Sequence, residues 1–365
     1  MLVGAAAPGS TPLALDDAPT IEVASAEPSR EPSGGPSTLG PTIVDVGAFV
    51  NEVHDVDLPG NAFSFNMYLW FRWDPTHWPP RDLGGVSDDA SQRGAVHPDR
   101  GVAQASSTPA GPFETFELVG ARSIEVKEIY RREGYCCVQV AGEVTNRWRV
   151  EDFPFDRQVL SLRIEDASYE TSQVVYRADV ERCGLSPDFA IPGSTIVGLE
   201  AVVESFAYPT TFGDPLIEQG TEATYSRFRL DILVGREGWS LFLKLFTGLL
   251  VSTAVAMLAF WIDPTQVDPR FGVCVGGLFG IIASSYVVSS LLPDGVSLAY
   301  ADQLHVASLV AVMLTLIEST VSLGLRLRDE PRTTLISRRL DRVTFVVVAS
   351  AYVGFVAFAT SRVAG

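Results

Sequence analysis

GWSLFLKLFTGLLVSTAVAMLAFWI, residues 238–262, runs for 25 residues with one charge, Lys244. As an α-helix it is long enough to cross the roughly 30 Å hydrocarbon core of a bilayer. Three more apolar stretches follow it. Residues 271–292 carry no charge, residues 306–325 carry only Glu318, and residues 343–359 mix apolar and small side chains. Four such stretches in succession predict a bundle of four membrane spans, at about 238–262, 270–292, 300–325 and 340–362. Buried helices of a large soluble core are the weaker reading.

Basic residues set the orientation, because short cytoplasmic loops are rich in Lys and Arg. Arg326, Arg328, Arg332, Arg338, Arg339 and Arg342 lie between the third and fourth spans, and Arg270 lies between the first and second. Both connections belong inside. The expected location is the cell (inner) membrane, with the N-terminal domain and the C-terminus extracellular or periplasmic. The net charge of −17 sits wholly in residues 1–236, which hold 35 acidic and 18 basic residues, while residues 237–365 hold 9 of each. An acidic outer domain disfavours nucleic acid and attracts cations.

Residues 1–40 are rich in Pro, Ser, Gly and Ala and are expected to be disordered. They lack the basic start and unbroken apolar run of a signal peptide, so an exported domain needs a leader upstream or a tag that replaced it. From 41 to 236 the pattern changes to short alternating runs such as FSFNMYLWFRW, CCVQVAGEV, VLSLRI and YSRFRLDILV. No convincing amphipathic helix intervenes, which predicts an antiparallel, immunoglobulin-like β-sandwich. The Gly/Ser/Pro-rich stretch 75–112 reads as a long loop. The fold class is therefore mixed, with a sandwich domain (41–236) followed by a four-helix transmembrane domain (237–365).

No catalytic constellation emerges, and the chain is not expected to be an enzyme. His54, His77, His97 and His305 follow no zinc spacing, and neither a phosphate-binding Gly-Lys-Ser/Thr loop nor a Gly-x-Ser-x-Gly elbow occurs. Cys136, Cys137, Cys183 and Cys274 show no metal-ligand spacing either. They read as buried small apolar residues, with a pairing of Cys183 to one of the adjacent two as the alternative.

The second span carries a stripe. Gly272, Gly276, Phe279, Ala283, Tyr286 and Ser290 recur at helical spacing along one face. Small residues there fit close helix packing. They fit equally a wall that leaves room for water, narrowed by Phe279, with Asp268 and Arg270 forming rings of charge at its cytoplasmic end.

EDFPFDRQVL, residues 151–160, places Phe-Pro-Phe-Asp between two strand-like runs, where proline marks a loop or sheet edge. With an outer sandwich and four spans, this loop resembles the signature of the pentameric ligand-gated ion channels, the Cys-loop receptor superfamily. The resemblance covers about residues 41–362. Trp73-Asp74, Phe153-Pro154-Phe155-Asp156 with Gln158, Arg236, Ala259-Phe260-Trp261, Leu292-Pro293 and Ile317-Glu318 match the family in order. Asn146 and Leu160 stand where animal receptors place the loop cysteines, which implies a prokaryotic-type member. Gly248 replaces a usual proline, glycines replace the polar residues common at the inner end of the stripe, and Asp268-Pro269-Arg270 mixes cation-channel and anion-channel features.

The resemblance implies a homopentameric ligand-gated channel whose pore is lined by the second span (Asp268, Gly272, Gly276, Phe279, Ala283, Tyr286, Ser290). Selectivity is expected to favour cations, from Asp268 and the acidic domain. The alternative is a membrane-anchored binding or adhesion module without conductance. Candidate ligand contacts are Tyr68, Trp70 and Arg72 on one subunit face. On the other they are Phe113, Glu114, Glu165, Asp166, Tyr169, Phe206, Tyr208, Phe212 and Tyr225. Aromatics there favour a cationic amine and carboxylates a cation or proton. Coupling to the pore is expected at Asp55, Asp57, Phe153, Pro154, Phe155, Asp156, Arg236 and Pro293, with Asp156 and the HDVDLPG carboxylates near Arg236 and both phenylalanines near residues 293–296. The implied partners are other copies of the chain, membrane lipid, permeating ions, and a small-molecule agonist or proton. No cofactor is expected, and divalent cations are candidate modulators.

Overall fold

The computed structural model describes residues 40–78, 110–210, 222–293, 299–328 and 330–364. Most of the Pro/Ser-rich N-terminus, most of loop 75–112, and Phe212 therefore lie outside the described residues.

Alternation of side chains builds the outer domain. In β1 (Thr42–Asp57) and β2 (Ala62–Trp73), every second residue, from Val44 to Val50 and from Phe63 to Phe71, is buried. Period-two patterning puts these residues on one sheet face, while the other face mixes polar residues such as Asp45, Asn66 and Arg72 with Phe49, Tyr68 and Trp70. A short helix α1 (Pro112–Thr115) leads into β3 (Phe116–Leu118), β4 (Ala121–Arg132), β5 (Tyr135–Thr145) and β6 (Arg157–Asp166). Then come β7 (Val174–Ala178), β8 (Gly184–Leu185), β9 (Ser194–Tyr208) and β10 (Ala223–Arg236). One sheet has the order β4-β5-β2-β1-β7, with β8 also on β1; the other is β3-β6-β10-β9. Pairing is antiparallel except where β7 and β8 run parallel to β1. The sheets close over one core, with Phe63, Met67 and Phe71 facing Leu160, Leu162, Phe228 and Leu230.

All four cysteines are free thiols, so the pairing of Cys183 with Cys136 or Cys137 does not form. Cys183 instead accepts the Ala48 N–H at 3.4 Å.

Four helices follow: α2 (Gly238–Met257), extended by a 3-10 turn to Trp261, then α3 (Val267–Ser289), α4 (Tyr300–Arg326) and α5 (Pro331–Ala364). Each is long and apolar enough to cross a membrane. Trp239 and Trp261 are both exposed at the two ends of the first span. Twenty-two residues apart, they are separated by about 33 Å along a helix, the spacing of the two interfacial belts where tryptophan gathers.

Candidate functional site

The candidate residues lie on the outward face of α3, at the joint between the domains, and among the strands of the two sheets.

On α3, packing divides the helix lengthwise. Arg270, Cys274, Gly277, Ile281 and Val288 are buried against the other helices. Asp268, Gly272, Gly276, Phe279, Ala283, Tyr286 and Ser290 are all exposed, Phe279 by 67 % and Tyr286 by 76 %. Different glycines serve the two faces. A methyl group on Gly277 would come within 2.7 Å of the Ser252 carbonyl, and one on Gly280 within 2.9 Å of the Ser252 Cβ, so these two let α2 and α3 touch. Gly272 and Gly276 have nothing within 4 Å of such a methyl. Within the subunit, close packing therefore does not explain the stripe glycines.

The expected ring of two charges is corrected here. Asp268 is exposed, but Arg270 is completely buried on the opposite side of the helix. Its Nη2 donates to Glu318 at 2.9 Å and to Asp341 at 2.7 Å. Turned inward, the guanidinium is compensated by two buried carboxylates.

At the joint, the loop between β5 and β6 is fastened without a disulfide. Asn146 Nδ2 donates to the Val159 carbonyl at 3.0 Å, and the Gln158 amide bonds the backbone of Arg149 at 3.1 and 2.7 Å. These polar bonds close the base of the loop. At its tip the Phe153–Pro154 bond is cis. Phe153 turns into the sandwich core, under the Arg236 guanidinium at 5.5 Å. Phe155 turns the other way, onto Trp239 (5.2 Å between ring centroids), Phe242 (5.9 Å) and Tyr300 (6.2 Å). A side chain on Gly238 would strike that ring. Among the described residues only Phe155 therefore docks on the helices, and it meets the starts of α2 and α4. Pro293 is buried, while residues 294–298 lie outside the described residues.

Asp156 faces Arg236 as expected, with both carboxylate oxygens 3.0 Å from Nε. Asp55 and Asp57 do not join them. Asp55 bonds His54 at 2.7 Å, and Asp57 caps its own turn by accepting the Gly60 N–H at 2.9 Å. Short carboxylates in turns take local partners first.

The candidate ligand residues fall into three groups. Tyr68, Trp70 and Arg72 share the outward face of β2. Trp70 Nε1 donates to Asp179 at 3.2 Å, and Arg72 pairs with Asp45 at 3.0 Å. Phe113 packs on Trp73 at 6.0 Å, and Tyr169 on Trp78 at 5.4 Å. Glu114 accepts the Ala110 N–H at 2.9 Å and lies 3.7 Å from Arg131, whose guanidinium covers the Phe113 ring.

The third group contains a residue that sequence reasoning passed over. Phe206, Tyr208 and Tyr225 form an aromatic cluster with centroids 4.8 and 5.8 Å apart. Arg227 lies 3.6 Å above the Phe206 ring and pairs with the buried Glu165. The Tyr208 hydroxyl donates to Glu165 at 3.0 Å and accepts from Arg227 at 3.1 Å. The chain's own guanidinium thus makes the cation–π contact of this cluster. The alternation in YSRFRLDILV was the available signal, since it puts Arg227 on the face opposite Phe228 and Leu230.

Asp166, the residue after Glu165 on β6, is buried. It accepts the Thr115 hydroxyl at 2.7 Å and the N–H groups of Ser168 and Tyr169 at 2.9 and 3.0 Å. Burial nevertheless pushes its carboxyl up to about 6, with Glu117 adding to the rise.

No family model matches the chain. A proton-gated ion channel of Gloeobacter violaceus is 22 % identical over 328 residues, which cover 84 % of this chain and 80 % of the relative. That span takes in both the strands and the helices. The chain is a multi-pass membrane protein with an extracellular N-terminal domain. The chain is thus similar to an ion channel over strands and helices together, and its Phe-Pro-Phe-Asp loop, seated between sandwich and helices and closed by hydrogen bonds, agrees with the resemblance to the pentameric ligand-gated ion channels.

Proposed function

We propose that the chain assembles as a homopentamer with α3 lining a central path, and that a signal at the outer domain opens this path to cations. The observation that carries the reading is the two-faced α3. A helix face left unpacked in one subunit meets lipid, the next subunit or an aqueous path. Lipid favours large apolar side chains, whereas this face holds Asp268, Gly272, Gly276 and Ser290. In a ring of subunits Phe279 would narrow the path, and Asp268 would stand at its inner mouth and favour cations by charge.

The proposed signal is a proton and not a cationic amine. Arg227 already occupies the aromatic cluster, so an added amine would have to displace a guanidinium paired with Glu165. Asp166 would take up a proton near pH 6. The Gloeobacter violaceus relative is proton-gated by name.

Purified protein in planar bilayers tests this. Cation current is expected when the outer solution is acidified through about pH 6, without added amine. Membranes that stay silent on acidification but conduct with an amine overturn the proton reading. Silence under both, together with particles that lack five-fold symmetry, overturns the channel reading in favour of a membrane-anchored binding module.

A further inference from the structure

Two charged residues open α3, and the helix sends them to opposite sides. Asp268 and Arg270 are two positions apart, or about 200° around the axis. Asp268 is exposed at the foot of the stripe, whereas Arg270 is wholly buried. The Arg270 guanidinium is held from three directions. Its Nε donates to Ser319 Oγ at 3.0 Å, and its Nη1 to the Ile262 carbonyl at 3.1 Å. Its Nη2 is shared between Glu318 on α4 and Asp341 on α5. The same helix ends are tied by Asp263 with Arg326 at 3.1 Å, and by the hydroxyls of Ser322 and Ser337 at 2.7 Å.

Arginine at a helix end ordinarily extends its charged head into water. Here the water within reach is that of the cytoplasmic side, where the path would open beside Asp268, two residues away. A guanidinium stays in an apolar interior only while carboxylates compensate it. Glu318 and Asp341 supply that compensation, and neither lies on the stripe.

We propose that Glu318 and Asp341 act as positioning residues for selectivity. By holding Arg270 inside each subunit, they leave the inner mouth with the charge of Asp268 alone. This rests on the reading that α3 lines the path and that the Asp268 ring selects by sign.

The test uses full-length protein in bilayers under a sodium chloride gradient, where the reversal potential gives the sodium-to-chloride permeability ratio. In the double variant E318Q/D341N the uncompensated Arg270 is released toward the mouth, and the ratio is expected to fall about tenfold or more. The triple variant R270Q/E318Q/D341N has nothing to release and is expected to keep the unmodified ratio. A double variant with the unmodified ratio overturns the proposal. So does a triple variant whose ratio rises about threefold or more, because Arg270 would then already have faced the ion. Should the double variant fail to assemble, the single variants E318Q and D341N take its place, each expected to lower the ratio, and an unmodified ratio in both overturns the proposal. Asp268→Asn separates the two levels. An unchanged ratio there sinks the selectivity reading itself, while a fall there with an unchanged double variant sinks only the role given to Glu318 and Asp341.

Discussion

Asp156 and Arg236 meet with both carboxylate oxygens 3.0 Å from Nε, joining the Phe-Pro-Phe-Asp loop to the last strand residue before the membrane. The Asp156 side chain is 2 % exposed and that of Arg236 17 %. Breaking such a buried pair from one side costs about 3–5 kcal/mol, because the remaining charge is stranded. That is comparable to the few kcal/mol that separate conformational states. Asp156→Asn is expected to weaken or abolish the response to acid. A double-mutant cycle with Arg236→Gln, read from the shift in half-activating proton concentration, should give a coupling of about 1–3 kcal/mol. Additive effects would mean that the pair does not take part in gating.

Phe155 makes the apolar contact between the loop and the helices. Its ring touches residues from α2 and α4, and the Glu151 carbonyl of the same loop accepts the Tyr300 N–H at 2.8 Å. Phe155→Ala removes the ring from that joint and should cost about 2–4 kcal/mol of local stability. Gly238→Val should act alike by pushing the ring away. Protein that assembles normally but no longer opens, for either variant, is the expected result. Unaltered currents in both would place the coupling elsewhere.

Asp166 gives a pH prediction with a definite sign. Its native value of about 6 lies above the ordinary 3.8, so the folded domain holds the extra proton between those values. Its contribution to stability is complete below about 3.8 and is lost as pH rises through about 6. The outer domain should therefore gain stability on acidification across that window. Asp166→Asn, neutral throughout, should flatten the dependence and shift the pH of half-maximal current. Denaturation curves at several pH values check the first, and bilayer recordings the second. A variant that keeps both dependences would remove Asp166 from the mechanism.

Phe279 presents the bulkiest side chain in the middle of the stripe. Replacing Phe279 with Ala should widen the narrowest apolar section and ease opening, because apolar constrictions gate by excluding water. Currents that persist at neutral pH are the expected sign. Unchanged closure at neutral pH would put the constriction at another residue.

Much of this was legible in the residues. Long uncharged runs fixed the four helices, because nothing in a bilayer core can satisfy an exposed backbone. The 3.6-residue period put the stripe on one side of α3 but left open whether that side packs or faces water. The pair Asp156 and Arg236 also followed from the family pattern. Arg270 did not, since its acidic partners lie 48 and 71 residues along the chain, and only the folded bundle brings them together. Arg227 was hidden for the same reason, 62 residues from Glu165. Asp55 and Asp57 erred in the opposite direction. Their partners, His54 and Gly60, are so close in sequence that local turn chemistry overrode the expected long-range pairing.

The central claim, that the exposed face of α3 lines the ion path, is tested most directly by thiol accessibility in conducting bilayers. Ala283 and Tyr286 lie on that face, and Ile281 and Val288 on the packed one. Each is replaced singly by cysteine, and a charged water-soluble thiol reagent is added during acid-evoked current. The predicted result is rapid block for A283C and Y286C, with no effect on I281C or V288C. Equal modification of both faces, or block confined to positions 281 and 288, would contradict it.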